Sequence, residues 1–221
     1  MATFINPFTK VGFKRIFGQE FSKPVLIHFL NNLFQGELTI VDLEFSDQEP
    51  ATAEGEYRPL ISDVYCKLDT GEKIIVEMNP DEGANCINRS IYYISECIVR
   101  LEERSFCSHF PVKAVYLITF LNGKSPDLGE KLRTHVVLMH SKTKKVYTDF
   151  LNLIYLQLPY FEQEADLCKN DFERWIYVLK HMETCSQLPW SDQHPAFRQL
   201  AEIANVHALS QEEKEKHLED C

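Results

Sequence analysis

The sequence predicts a mixed α/β fold in which helices flank a single sheet. Apolar stripes with helical spacing alternate with short runs rich in β-branched residues, in the order helix, three strands, helix, strands, helices. The 221 residues are 44% apolar and 12% aromatic, which is enough to bury a substantial core. We therefore expect one core over residues 1–160 and a helical C-terminal extension, residues 161–221, packed on that core.

The composition excludes several classes of protein. With only 8 Gly and 10 Pro, the chain is neither collagen-like nor broadly disordered. Its longest apolar stretch, residues 114–121, is too short to cross a bilayer, and residues 1–10 lack the pattern of an export signal. The 7 cysteines show no C-x-x-C spacing. We therefore expect free thiols, a cytoplasmic location and no membrane attachment.

Two helices open the predicted fold. Residues 6–17 place their apolar side chains on one helical face, and Thr9 is suited to cap that helix. Residues 22–34 have a longer apolar stripe, with Ser22 suited as the N-cap. Gly36 follows the last apolar residue of this stripe, so we expect the second helix to end there.

Three strands follow the helices. Residues 38–45 alternate between two faces, and residues 59–68 and 72–79 are both rich in Ile, Val and Tyr. The last two runs are joined by Asp69-Thr70-Gly71, a three-residue link whose final Gly suits a left-handed position. This pattern predicts an antiparallel hairpin.

The rest of the chain alternates between both kinds of element, and residues 112–121 are apolar enough for a central strand covered on both faces. The predicted elements are a helix over residues 88–104, strands over residues 112–121, 135–140 and 145–158, a helix from Asn170, and a short helix opened by a capping box from Ser210 to Glu213.

Charge is distributed unevenly along the chain. The total of 23 basic and 33 acidic residues, a net charge of −10, argues against indiscriminate binding of polyanions. Residues 37–82 carry 3 basic and 13 acidic side chains, whereas residues 1–36 carry 4 and 1 and residues 101–160 carry 8 and 5. Two interpretations remain open: ordinary solvated faces, or a carboxylate-rich metal site with flanks that face nucleic acid.

Asp63 and Glu77 are the candidate metal ligands. If the predicted hairpin closes at its three-residue link, these two residues lie opposite one another, and a bulge would shift the register by one. Two carboxylates on neighbouring strands can share one Mg²⁺ ion, which also binds water and phosphate oxygens. Alternatively, both face solvent and pair with Lys67 and Lys73.

Five short motifs occur together and in a recognisable order. They are Asn6-Pro7-Phe8-Thr9, Phe13-Lys14-Arg15-Ile16-Phe17-Gly18, Ser62-Asp63-Val64, Ile75-Val76-Glu77-Met78 and Arg89-Ser90-Ile91-Tyr92-Tyr93. In these motifs the chain resembles the PD-(D/E)XK nuclease family transposases, also called recombination-promoting nucleases. The resemblance implies a restriction-endonuclease-like α/β core and Mg²⁺-dependent cleavage of DNA phosphodiester bonds, linked to recombination or transposition.

The resemblance also assigns roles to individual residues. Asp63 is the metal-bridging carboxylate, Glu77 is its partner on the next strand, and the Met78 carbonyl is a further candidate ligand. Asn79 stands where the wider superfamily has Lys and this branch usually has Gln, and it would position the attacking water. Lys10 stands where relatives usually have Asp.

Three cations are candidate DNA contacts. By the same resemblance, Arg89 on the helix after the site would bind a phosphate through two hydrogen bonds. The alternative pairs Arg89 with Glu96 or with a strand carboxylate. Lys14 and Arg15 would contact the DNA backbone if the N-terminal helix lines a groove, and they are ordinary solvated side chains otherwise.

Two other patterns have plainer interpretations. We attribute the cluster of Lys142, Lys144 and Lys145 to a turn between two strands. His135 and His140 are five residues apart in a predicted strand, which places them on opposite faces and argues against a shared metal ion.

The predicted function is therefore Mg²⁺-dependent hydrolysis of DNA, with Mn²⁺ as a substitute ion and with a homodimer left open. One alternative is a catalytically degenerate relative that binds DNA or a protein. Another is a hydrolase of small phosphoesters that is indifferent to DNA.

Overall fold

The computed structural model of the protein describes residues 3–46, 64–79, 86–102 and 113–220. Its helices are α1 (Lys10–Phe17), α2 (Lys23–Phe34), α3 (Cys86–Glu102), α4 (Asp171–His181), α5 (Pro195–Ala204) and α6 (Gln211–Asp220). Its strands are β1 (Leu43–Phe45), β2 (Val64–Leu68), β3 (Lys73–Asn79), β4 (Val115–Leu121), β5 (Arg133–Met139) and β6 (Val146–Gln157). The six strands belong to one mixed sheet flanked by helices, which confirms the predicted α/β class.

The chain divides into two compact units. Unit 1 comprises residues 1–69 and 161–221 and holds five of the six helices together with β1 and β2. Unit 2 comprises residues 70–160 and holds α3 and the four remaining strands.

The first predicted helix is confirmed, and its opening motif explains why it begins where it does. Thr9 is the N-cap, and its hydroxyl accepts a hydrogen bond from the Gly12 amide at 3.0 Å. The Asn6 side chain accepts from the Phe8 amide at 2.8 Å, and the Asn6 carbonyl accepts from the Thr9 hydroxyl at 2.9 Å. A Cβ on Gly12 would lie 1.9 Å from the Asn6 carbonyl oxygen, so only glycine fits there.

The second helix is confirmed, but both of its ends differ from the prediction. Ser22 precedes α2 without a side-chain cap, because its hydroxyl is engaged with Gln19 in the preceding 3₁₀ turn. Gln35, at φ 50°, is the left-handed residue that ends the helix, one residue before Gly36.

The predicted strand over residues 38–45 is much shorter in the structure, where β1 covers only Leu43–Phe45. Asn31 on α2 explains the difference. Its side-chain amide accepts from the Ile40 backbone amide at 2.8 Å and donates to the Ile40 carbonyl at 2.9 Å. Since both backbone groups of Ile40 are occupied by a side chain, this residue cannot pair in a sheet.

Within unit 1, β1 pairs with β2 in antiparallel fashion, from Leu43 opposite Leu68 to Phe45 opposite Cys66. The helices of this unit meet around a cluster of aromatic rings that includes Trp175, which is fully buried. This burial confirms the helical stripe predicted from Asn170, whose side chain caps α4. The predicted capping box is also present, because Ser210 and Glu213 exchange side-chain to backbone hydrogen bonds.

Within unit 2, the strand order is β3-β4-β6-β5. The strand β4 pairs in parallel with both β3 and β6, and β5 pairs with β6 in antiparallel fashion. The central position predicted for residues 112–121 is thus confirmed. The link before β3 ends at Gly71 with φ +99°, as expected for the left-handed position.

No helix in the described part of the chain combines the length and the apolar character needed to cross a membrane.

Candidate active site

Glu77 lies in the interior of unit 2. It belongs to β3, where the run from Ile74 to Asn79 is buried throughout, and its side chain is only 1% exposed. The parallel register places Glu77 opposite Thr119 on β4, and Thr119 opposite Tyr155 on β6. Three polar side chains therefore form one row across three neighbouring strands.

A short hydrogen bond fixes the Glu77 carboxylate. The Thr119 hydroxyl donates to Glu77 Oε1 at 2.6 Å, and Thr119 is itself 1% exposed. Burial raises the pKa of Glu77, because desolvation disfavours the charged form. The Thr119 hydrogen bond and the charge of Arg89 act in the opposite direction and offset part of this increase in pKa.

The helix α3 supplies further polar groups near this row. Arg89 lies close enough to influence the Glu77 charge, which agrees with the alternative that pairs it with a strand carboxylate. Ser90, the next residue, is fully buried. Its hydroxyl is near enough to the Tyr155 phenol to lower the pKa of Tyr155. The two hydroxyl groups do not, however, reach hydrogen-bonding geometry. Burial is the stronger effect and raises the pKa of Tyr155 to about 12, so this phenol stays protonated.

Asn79 is two residues beyond Glu77 on the same strand, so the two side chains share one face of the sheet. It is fully buried. In the corresponding row of paired residues, Asn79 lies opposite Leu121 on β4, and Leu121 lies opposite Gln157 on β6. The Gln157 amide accepts from the Ser125 backbone amide at 2.8 Å and thereby holds the loop that follows β4.

Sequence reasoning missed Thr119, Tyr155 and Gln157. Thr119 is a polar residue within the largely apolar β4, and Tyr155 and Gln157 are polar residues among the apolar, buried residues at the C-terminal end of β6; this is the signal that could have identified them. Their proximity to Glu77 and Asn79 depends on the pairing of β3, β4 and β6, which no local pattern specifies.

Asp63, the other predicted carboxylate ligand, lies outside the described residues. Its approach to Glu77 therefore stays a prediction.

A comparison with protein families identifies the family of this chain. The family model of the PD-(D/E)XK nuclease family transposases matches residues 7–221. The chain belongs to this family. No curated protein and no solved structure matches it. Membership of the PD-(D/E)XK nuclease family transposases implies a nuclease or transposase-like function and DNA binding, and PD-(D/E)XK nucleases generally use divalent metal ions.

The residues around Glu77 fit a divalent cation of the kind this family uses. Glu77 Oε2 is buried and has no hydrogen-bond partner among the residues that the structure describes. A carboxylate, a side-chain amide and hydroxyl groups are hard oxygen donors, which Mg²⁺ prefers. A cation at this carboxylate would offset the cost of burying its charge.

Arg15, a predicted DNA contact, is engaged within unit 1. Its guanidinium donates to the Ile203 carbonyl at 2.7 Å, to Glu213 Oε1 at 2.8 Å and to the Ala208 carbonyl at 2.9 Å. These bonds hold the segment between α5 and α6 against α1. The DNA contacts predicted for Arg15, for Lys14 beside it and for Arg89 stay predictions.

His28, Asp171 and His194 form a second polar cluster, also in unit 1. The Nε2 atoms of His28 and His194 lie 3.6 and 3.2 Å from Asp171 Oδ2, close enough for the three residues to suggest a metal site. However, His28 Nδ1 accepts from the Trp175 indole at 2.8 Å, and His194 Nδ1 accepts from the Ala196 amide at 3.3 Å.

Those two hydrogen bonds determine what the cluster can do. A neutral imidazole that accepts at Nδ1 carries its proton on Nε2, so neither His28 nor His194 presents a free Nε2 lone pair to a metal ion. Ligating histidines normally donate, rather than accept, through their second nitrogen. The cluster is therefore better described as two imidazoles held beside the Asp171 carboxylate than as a metal site.

Proposed function

We propose that this protein is a Mg²⁺-dependent DNA endonuclease that hydrolyses phosphodiester bonds in recombination or transposition. The observation that carries the proposal is Glu77, a buried carboxylate fixed by Thr119 with one oxygen left for a ligand, on the central sheet of a PD-(D/E)XK family member.

Each residue of the site has a task in this proposal. Asp63 and Glu77 would hold Mg²⁺, or Mn²⁺ in its place, and Thr119 keeps Glu77 in one orientation. When bound, the ion lowers the pKa of its water and stabilises charge on the phosphate. Asn79 would orient the attacking water with a neutral dipole, and Arg89 would bind a phosphate oxygen.

Plasmid nicking tests the proposal. Supercoiled DNA incubated with the full chain and Mg²⁺ or Mn²⁺ should be converted to open circles, and EDTA should stop the reaction. Glu77→Gln and Asp63→Ala should each abolish nicking, because each variant lacks one of the two carboxylates that would hold the ion. Glu130→Gln, at an exposed position in the same unit, is the matched control and should nick at the wild-type rate. Nicking by Glu77→Gln at the wild-type rate would refute the assignment.

A specific observation favours a second candidate, a nuclease-fold module that binds DNA or a protein without cleaving. Glu77 and Asn79 are 1% and 0% exposed, and Asn79 replaces the cationic Lys of the wider superfamily. Such a module would show no nicking with any divalent ion, and Asp63→Ala would leave its DNA affinity unchanged. Turnover of a simple phosphodiester without DNA cleavage would point instead to a hydrolase of small phosphoesters.

The cytoplasm is the proposed location. Cys66, Cys86, Cys168 and Cys185 are free thiols, which supports a reducing compartment. A homodimer stays an open alternative to a monomer, and sedimentation of the purified chain distinguishes the two.

A further inference from the structure

The end of the β5–β6 hairpin extends past its neighbouring strand. β4 pairs with β6 only from Leu151 to Gln157, so residues 146–150 of β6 pair with β5 alone. We call residues 138–150 the distal ribbon. Residues 138–147 are exposed without interruption, as expected for a two-stranded structure with solvent on both faces.

The turn of the distal ribbon is held by its own backbone. The His140 amide donates to the Lys145 carbonyl, and the Lys144 amide donates to the His140 carbonyl, both at 2.9 Å. The His140 side chain accepts from the amides of Lys142 and Thr143, at 3.3 and 3.1 Å. The lysines of the turn are therefore presented from an ordered backbone.

The charge of this region is opposite to that of the whole chain. Residues 131–150 contain five Lys or Arg and one Asp, against a total charge of −10 for the protein. Lys142, Lys144 and Lys145 are all exposed, and none of them forms an ion pair with a residue that the structure describes. Three cations near one another repel, so this arrangement favours an anionic partner.

Apolar side chains accompany these cations. Leu138, Met139, Val146 and Tyr147 are 46%, 50%, 55% and 77% exposed. Together with Val136 they are half of the ten large exposed apolar side chains among the described residues. Exposed apolar groups concentrated in one place indicate a contact surface rather than ordinary solvated surface.

We propose that the distal ribbon inserts into the major groove of duplex DNA, with Lys142, Lys144 and Lys145 on the phosphates at its edges. The major groove, about 12 Å wide, admits a two-stranded β-ribbon, and apolar side chains can contact thymine methyl groups there. The inference rests on the proposed function, since it names how the same DNA substrate is held. A second copy of the chain is a poorer partner, because two ribbons would bring like charges together.

Fluorescence anisotropy with a labelled DNA duplex tests this inference in EDTA, so that no cleavage is required. The variant is Lys142→Gln, Lys144→Gln and Lys145→Gln combined. Its matched control is Lys67→Gln, Lys113→Gln and Lys169→Gln combined, at three exposed positions outside the ribbon. Circular dichroism establishes that both variants are folded.

The ribbon variant should bind roughly 10–100-fold more weakly than wild type near 0.1 M salt. The slope of log Kd against log salt concentration should also decrease by about 2–3, because three phosphate contacts are lost. The control should stay within about threefold of wild type, since scattered lysines contribute little. Tyr147→Ala separates the apolar contribution and should weaken binding without changing the salt slope.

Three results would overturn the inference. The first is equal affinity and salt slope for the folded ribbon variant and wild type. The second is the absence of wild-type binding in EDTA. The third is a wild-type dimer that the ribbon variant dissociates while DNA affinity is unchanged, which would make the ribbon a self-association surface. The proposed function fails separately, through loss of Mg²⁺-dependent nicking, so the two failures are distinguishable.

Discussion

The Thr119 hydroxyl donates a 2.6 Å hydrogen bond to Glu77 Oε1 across two parallel strands, in a place where both residues are only 1% exposed. A carboxylate in such surroundings is costly unless its oxygens are bound. Thr119 binds one oxygen, and the other has no hydrogen-bond partner in the described part of the chain. Glu77 Oε2 is therefore the oxygen to which we assign the proposed cation.

Replacement of Thr119 tests how much this hydrogen bond contributes. Thr119→Val keeps the side-chain shape but removes the donor, so the free energy of unfolding should fall by about 1–3 kcal/mol. The pKa of Glu77 should rise further, because the hydrogen bond that lowers it is lost. Urea unfolding measures the loss of stability. The pH profile of nicking measures the rise in the pKa of Glu77, which should shift the profile to higher pH.

Thr119→Ser is the control for this prediction, because it keeps the hydroxyl and removes only a methyl group. It should retain the wild-type pH profile. If Thr119→Val and Thr119→Ser have the same profile, the hydroxyl does not act on Glu77.

The ionisation of Glu77 should also be visible in the stability of the metal-free protein. Its folded pKa is raised above the ordinary 4.5, so its contribution to stability is full below pH 4.5 and is lost as the pH rises through the folded pKa. Glu77→Gln cannot ionise, yet its carbonyl can still accept from Thr119. The variant should therefore gain stability relative to wild type as the pH rises, by about 1.4 kcal/mol for each unit of pKa shift.

Urea unfolding of both proteins between pH 4.5 and pH 8, in EDTA, measures this difference. Addition of Mg²⁺ should stabilise wild type alone and narrow the gap at high pH. A gap that does not change with pH would show that Glu77 titrates at its ordinary pKa.

His28 should make the stability of unit 1 sensitive to acid. Burial lowers the pKa of His28, the His194 charge lowers it further, and Asp171 acts against both. With a folded pKa below 6.5, His28 contributes stability that is present above pH 6.5 and is lost as the pH falls through the folded pKa. A proton on His28 Nδ1 would also face the Trp175 indole N–H, which is a donor.

Free energies of unfolding from pH 7.5 down to pH 5 check this prediction. His28→Asn can accept from Trp175 without titrating, so its stability should fall less steeply with acid than that of wild type. His207→Asn, at an exposed position, is the matched control for loss of an imidazole. Parallel pH curves for His28→Asn and wild type would contradict the assignment.

The same hydrogen bonds predict that this cluster does not bind zinc. Added Zn²⁺ should therefore shift the thermal midpoint of wild type by no more than it shifts that of His194→Ala. A zinc-induced stabilisation that His194→Ala abolishes would show that the two imidazoles can release their Nε2 protons to a metal ion.

Arg15 should stabilise the C-terminal part of unit 1. Its three hydrogen bonds, one of them to the carboxylate of Glu213, are lost in Arg15→Ala, and we expect a loss of about 2–4 kcal/mol in urea. Arg15→Lys has a single ammonium in place of the planar guanidinium, so it should retain only part of the stability that Arg15→Ala loses. Trypsin cleavage at Lys214 and Lys216 should accelerate in the Ala variant, and unchanged cleavage would refute this stabilising role.

Much of the fold follows from local sequence patterns. The cap at Thr9, the apolar stripe of α4 and the capping box at Ser210 are local features, and each lies where it was predicted. The largest error arose where a side chain from elsewhere in the chain took over backbone groups. Asn31 occupies Ile40 and shortens β1, which alternation within the strand cannot reveal.

The candidate site was predictable only in part. Glu77 and Asn79 were placed correctly on one strand because their pattern is local. Thr119 is 42 positions from Glu77, and the Arg15 partners Ile203 and Glu213 are 188 and 198 positions away, so only the tertiary fold brings them together.

Calorimetric titration of the metal-free protein with Mg²⁺, repeated with Mn²⁺, tests the central claim most directly, because it reports binding without requiring cleavage. Wild type and Glu130→Gln should bind the ion with the same affinity, and Glu77→Gln and Asp63→Ala should bind at least about tenfold more weakly, a loss of about 1.4 kcal/mol. Wild-type affinity in a folded Glu77→Gln variant, or no binding by wild type, would contradict the assignment of Glu77 as the metal ligand.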